Sequence, residues 1–249
     1  GRLTLNANID VSGQGFRGGL FQSGGFNCTA GNYSAPLGQG GTKGEGITQI
    51  IAGQETNRGK LANGGGGGTP GNAGAGGGGN GGIGGLGGRT YSGCGASTIQ
   101  GVGGTSLIPP ATKIFFGGAG GGGFRDNGQT CASGANGGGI VILVADTIVG
   151  NSNSILSNGS NVAVVTNDEG AGAGGAGGSI YVVTDTFIGP ITVRTNGGNG
   201  GNTFNTIFTS QCHGPGGGGG GGRFWLSLPA IPPTVTYTSI GGLAGLVQN

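Results

Sequence analysis

An all-β fold is predicted for this chain: parallel β-solenoid-like rungs with a large glycine-rich insertion packed as polyglycine helices of polyproline-II geometry. Three observations predict it. Two segments share one grammar and a third opens the same way: Gly137 to Asn158 reads GGGIVILVADTIVGNSNSILSN, Gly177 to Asn196 reads GGSIYVVTDTFIGPITVRTN, and Gly221 begins GGRFWLSLPAI. Glycine makes up 72 of the 249 residues, and it comes in uneven blocks. No stretch carries the apolar spacing of a helix.

Each unit starts with paired glycines and continues into a β-branched or aromatic run. The first two then turn at Asp146-Thr147 or Asp185-Thr186 and end a second short strand before Asn-Gly, with a recurrence of about 40 residues. A strand-corner-strand unit cannot bury its apolar face alone, so it is expected to stack on its neighbours. The opening RLTLNANIDVSGQG fits the same unit, with strands at Leu3 to Asn6 and Ile9 to Ser12. An antiparallel sandwich or jelly roll with polyglycine helices is the alternative arrangement for such short strands.

Residues 15–139 form an insertion between the first and second units, and residues 1–228 read as a single domain. A structureless loop of that length is not expected inside a compact domain. Polyproline-II segments make no internal hydrogen bonds, but glycine strands lack Cβ atoms and so approach closely enough to bond N–H to C=O between neighbours. Ordering glycine costs about 1–2 kcal/mol per residue or more, so isolated helices are not expected to persist without a β scaffold and cross-links. ATKIFFGGAGGGG places a strand-like run directly before a glycine run. The tail at residues 229–249 leaves the repeat grammar, and its prolines mark a connector or a final partner strand.

Composition excludes several classes. Glycine does not recur strictly every third residue and there are only nine prolines, which excludes collagen. Hydrophobic residues are 33% of the chain and cluster, which argues against disorder. Ten Lys and Arg against eight Asp and Glu, scattered singly, provide no basic stripe for nucleic acid. No window approaches a membrane span. The chain begins without Met and shows no signal peptide, which reads as a processed or excised piece.

Cys28, Cys94, Cys131 and Cys212 lie far apart without close pairs, so metal binding is disfavoured and two disulfides of unspecified pairing are expected, in an oxidising extracellular compartment. Gly13-Gln14-Gly15-Phe16-Arg17-Gly18 spells a dinucleotide fingerprint after a strand, but GLFQSGGFNCTAGNY follows with no helical period. It reads as the exit from a strand into the insertion. His213, the sole histidine, is expected in a loop without a catalytic role. Asn167, Asp168 and Glu169 supply oxygen ligands of the calcium type but no calcium motif, so a solvated turn is expected.

Possible glycosylation positions are Thr147 and Thr186 at the two Asp-Thr corners, and Asn27, Asn32 and Asn158 in N-x-S/T triplets. Trp225, the only tryptophan, stands in an alternating apolar run and is expected in the core, with stacking on a sugar as the functional alternative. No residue is assigned to catalysis, a cofactor or a metal.

The ordered series IDVSGQGFRGG, KGEGI, RGKLANGGGGGTPGNAGAGGGGNGG, KIFFGGAGGGGFRDN, NGGGIVILVADTI and GAGGAGGSIYV resembles the glycine-rich domains of large secreted surface proteins of Bacteroidota. Those proteins resemble gliding-motility adhesins and travel as type IX secretion cargo. The resemblance implies a β-rich extracellular, cell-surface domain without enzymatic activity or cofactor, serving attachment or appendage structure. Asp-Thr followed by a small or aliphatic residue is similar to the O-glycosylation acceptor of the same bacteria, and Thr147 fits it better than Thr186.

GGAGGGGFRDN (Gly117 to Asn127) is also similar to the glycine-rich region of anaplastic lymphoma kinase-type receptors, where polyglycine helices pack together. The expected partners are a cell-surface or substratum glycan or protein and other domains of a longer chain, with no nucleic acid and no membrane span. Two alternatives stand beside this: a receptor-binding tip similar to the glycine-rich adhesins of phage tail fibres, and a subunit that self-associates into an extracellular filament.

Overall fold

The computed structural model describes residues 1–29, 31–95, 99–107, 113–206 and 213–248. Apart from one 3-10 turn at Ser92–Cys94, the secondary structure of the described residues is β. The strands in chain order are β1 (Arg2–Thr4), β2 (Ile9–Asp10), β3 (Gln22–Ser23), β4 (Phe124–Arg125), β5 (Ile140–Val144), β6 (Thr147–Val149), β7 (Ser154–Leu156) and β8 (Thr166–Asn167). They continue with β9 (Ser179–Val183), β10 (Thr186–Ile188), β11 (Ile191–Arg194), β12 (Thr203–Phe204), β13 (Arg223–Leu226), β14 (Val235–Thr238) and β15 (Val247–Gln248).

Every strand ladder is parallel, which is the solenoid arrangement and not the sandwich. The sheets run β5-β9-β13, β1-β6-β10, β2-β7-β11-β14 and β8-β12-β15, so each successive rung adds one strand to a wall. The repeat grammar maps onto this directly. Its Asp-Thr corners open β6 and β10, which pair Thr147 with Thr186.

Because side chains alternate along a strand, each wall sends one parity inward and stacks it in columns. Leu3, Ile148 and Phe187 form one column, and Ile9, Ile155, Val193 and Tyr237 another. Val141, Ile180 and Phe224 face them across the core, with Leu143, Val182 and Leu226 two residues on. Burying each fully enclosed aliphatic side chain contributes about 1.5–3 kcal/mol. Ile148, Ile155 and Val193 have no solvent-exposed surface.

The glycine blocks build a second kind of packing. In residues 117–123 the N–H groups point in turn to three neighbouring segments with a three-residue period. Gly117, Gly120 and Gly123 donate to the carbonyls of Gly138, Ala135 and Ala132 at 2.9, 3.0 and 2.9 Å. Gly118 and Gly121 donate to Gly79 and Gly76, each at 3.0 Å, and Ala119 and Gly122 donate to Glu45 and Thr42 at 3.1 and 2.8 Å. The carbonyls of the same segment accept from three others: Ala173 and Ala176; Phe16, Gly19 and Gln22; and Gly65 and Gly68.

The period of three is that of polyproline II, and the segment is bonded on all sides with the Ala119 methyl as its only side chain. A Cβ on Gly121 would fall within the van der Waals shell of the Gly66 carbonyl oxygen. The bundle is wider than the insertion. Glycine stretches of the rungs join it, for example where Gly78 donates to Gly174 and Gly174 to Gly217, at 3.0 and 2.9 Å.

The rungs are stitched by an asparagine ladder. Asn158 and Asn196 accept, through Oδ1, the N–H of Asn196 and Ile240 respectively, at 2.9 and 3.1 Å. One turn on, Asn161 and Asn199 accept from Asn199 and Leu243 at 2.7 and 2.9 Å, and Asn202 accepts from Leu246 at 2.9 Å. The Asn of each Asn-Gly ending is thus a connector between rungs.

Some local expectations differ from the fold. Residues 113–116 (KIFF) are not a strand, although Phe115 is tied to β9 by accepting the Ser179 hydroxyl proton at 2.6 Å. Of the two readings of the tail, connector or partner strand, the fold has the partner strand: β14 and β15 pair with β11 and β12. Residues 13–22 run from β2 into the bundle, with Gly15 donating to Gly137 at 2.7 Å, so the G-x-G-x-x-G string is the strand exit.

Candidate functional site

In RFWL the core takes Phe224 and Leu226, and alternation therefore turns Arg223 and Trp225 outward. Trp225 is half-buried and is not a core residue, contrary to the expectation for an aromatic in an apolar run. Parallel register sets it directly opposite Tyr181, and Tyr181 opposite Ile142. The two rings stack with centroids 4.1 Å apart and planes 6° from parallel. Ile142, 58% exposed, and Val144, 72% exposed, extend the outward apolar stripe down the wall.

β13 is the edge strand of its sheet, so among the described residues no further strand covers Trp225 on the side away from Tyr181. Beside the stack a groove of about 640 Å³ opens, within the ordinary range for ligand sites of about 300–1,000 Å³. Tyr181, Arg223, Trp225, Tyr237 and Ser239 come from the solenoid, while Gly82, Ile83, Lys113 and Ile114 come from the insertion. Fully buried Asn80 fixes the insertion wall, its amide donating to the carbonyls of Gly177 and Gly178 at 2.9 and 3.0 Å. Glycines 220–222 line the floor.

Two cations line the groove, and among the described residues no carboxylate does. Lys113 is exposed. Arg223 donates one guanidinium N–H to the Leu107 carbonyl, and its Nε is buried without a hydrogen-bond partner among the described residues. A buried unpaired donor is uncommon and costly.

A second polar cluster surrounds His213. Asp168 and Glu169 are fully buried, so they are not a solvated turn. Glu169 accepts the N–H of Asp126 at 3.2 Å and of Asn127 at 3.1 Å, and burial pushes its pKa up to about 8. Asp168 accepts the Thr206 N–H at 2.9 Å and the Thr206 hydroxyl proton. His213 is buried, stacks on Tyr91 at 5.1 Å and places Nδ1 3.0 Å from Asn205 Oδ1. Burial lowers its pKa, against the opposing pull of Asp168 and Asp126. These contacts occupy the carboxylates and the imidazole internally, and no group of three or more His, Cys, Asp or Glu among the described residues is arranged to hold a metal.

Cys28 and Cys94 form a disulfide closing a loop with a sequence separation of 66, for which chain entropy estimates about 4 kcal/mol of stabilisation. Cys131 departs from the expected second bridge. It is a free, buried thiol donating to the Gly170 carbonyl at 3.4 Å, and burial pushes its pKa up to about 12. Cys212 lies outside the described residues.

Of the glycosylation positions, Asn27, Asn32 and Thr186 are exposed, while Thr147 is half-buried on the central strand of its sheet. Asn158 is engaged at both ends of its amide, by the Asn196 N–H and by Ser12 Oγ. Sequence reasoning missed Tyr181, Arg223 and Lys113. Aligning GGSIYVV with GGRFWLS would have set Tyr181 and Trp225 in one column, but the insertion wall has no counterpart in the repeat.

No protein-family model, curated protein or solved structure matches the chain. No described helix is long and apolar enough to cross a membrane.

Proposed function

We propose that this chain is a non-catalytic structural and adhesive domain of an extracellular bacterial surface protein, a rigid module for attachment or gliding. The observation that carries the reading is the aromatic groove held on a backbone-bonded scaffold: a half-buried Tyr181–Trp225 stack lining a groove whose insertion wall is fixed by Asn80. The Cys28–Cys94 disulfide supports an oxidising compartment, and the ordered glycine motifs support the likeness to Bacteroidota surface proteins. The test is retention of beads coated with the oxidised chain on polysaccharide-coated surfaces under flow. Retention above that of uncoated beads is expected; equal wash-off across all surfaces contradicts adhesion.

One observation favours a second reading, end-to-end association of copies. The asparagine columns finish at Ile240, Leu243 and Leu246, which are 66%, 73% and 64% exposed, beside the unpaired edges of β13, β14 and β15. A second copy continuing the parallel ladders would cover this row. Light scattering is expected to show concentration-dependent mass that Leu243→Asn reduces, and a monomer at every concentration contradicts it.

A further inference from the structure

We propose that the groove between the insertion and the terminal rung binds an acidic polysaccharide, with a uronate ring laid against the Trp225 edge of the aromatic stack and its carboxylate held by Arg223 and Lys113. The inference rests on the adhesive reading and names its ligand class.

The lining combines an apolar platform and positive charge. A sugar ring presents C–H faces that pack on aromatic surface, and Trp225 has one face on Tyr181 and, among the described residues, no strand beyond the other. Ser239 supplies a neighbouring hydroxyl; its Oγ donates to the Gly222 carbonyl at 2.8 Å, which leaves the oxygen to accept from a sugar hydroxyl. Neutral sugars would use these features as well. The cations decide the class.

Arg223 lines the groove in a half-buried setting, where a carboxylate gains charge-assisted hydrogen bonds from the guanidinium N–H groups not given to the Leu107 carbonyl. Lys113, on the opposite wall, adds a second positive charge at the open side. With no Asp or Glu among the described residues of the lining, these charges are not offset there. The arrangement complements a polyanion and gives no advantage to a cationic or neutral chain. The groove is open, so binding should weaken with added salt.

The fold also explains why the site is preformed. Glycines 81, 82 and 220–222 bring backbone to the groove without side chains to fill it. A Cβ at Gly81 would meet the Gly222 carbonyl, so the two walls approach as closely as bare backbone permits.

Trp225 is the only tryptophan, so its emission reports on this groove alone. The oxidised chain would be titrated with hexagalacturonate and, separately, with neutral cellohexaose. A saturable change in emission with hexagalacturonate is expected, with cellohexaose weaker by about tenfold or more, as for loss of a paired charge. Arg223→Gln should weaken hexagalacturonate by a similar factor. Lys113→Gln, at an exposed position, should weaken it by about threefold, in line with an exposed charge.

Absence of an emission change with hexagalacturonate, or an equal response to cellohexaose, would overturn the proposal. So would unchanged affinity in both variants. Beads that adhere although Trp225 emission is silent would remove the groove assignment and keep the adhesive reading; a saturable Trp225 response on beads that wash off would do the reverse.

Discussion

In the solenoid half, Ile148, Ile155 and Val193 hold the rungs through buried side chains, whereas in the bundle half Gly118, Gly120 and Gly121 hold their neighbours through backbone alone. Both halves satisfy buried N–H and C=O groups by bonding between segments distant in the chain. They differ in what a mutation removes. In the solenoid a truncated side chain leaves a cavity; at Gly118, Gly120 and Gly121 of the bundle an added Cβ collides with a carbonyl. The asparagine ladder joins the two, since it runs where strands pass into glycine segments.

The largest effect expected from breaking this comparison is at Gly121, whose added Cβ would strike Gly66. Gly121→Ala should lower unfolding free energy by at least about 4 kcal/mol or abolish folding, measured by denaturant melts. If it melts like the wild type, close packing of bare backbone is not what holds the bundle. Ile155→Ala should cost about 3 kcal/mol through an unfilled cavity, with the bundle amides still protected.

A third effect sits beside the bundle. Glu169 keeps its proton in the fold up to about 8, while its ordinary value is 4.5. Between those limits the unfolded chain releases a proton that the folded chain retains, so stability falls as pH rises through that window. Glu169→Gln should flatten this decline in melting temperature. The smallest effect belongs to the joint: Asn199→Ala removes the 2.9 Å acceptor for Leu243 at an exposed position and should cost about 0.5–1 kcal/mol.

The rung architecture was legible because its signal is a pattern of residue types: β-branched runs, Asp-Thr corners and Asn-Gly endings recur in register. The glycine packing was legible as a necessity of backbone bonding, but its partners were not. Nothing in the identity of Gly121 says that it meets Gly76 and Gly66. Trp225 was misplaced because hydrophobicity outweighed parity; Phe224 and Leu226 had already filled the inward positions. Asp168 and Glu169 were misplaced for the opposite reason, since charge suggests solvent and only the fold supplies the Asp126, Asn127 and Thr206 donors that accompany their burial. The groove needs the Lys113 wall, which comes from a non-repeating segment.

The most direct measurement of the central claim, that the glycine segments are a bonded structural element equal to the strands, is hydrogen exchange on the oxidised native chain across residues 117–123 and 140–144. Every N–H from 117 to 123 has an intersegment acceptor, so these amides should exchange as slowly as those of β5 and lose protection in the same unfolding transition. Exchange of residues 117–123 at the rate of an open chain, with β5 still protected, would contradict it.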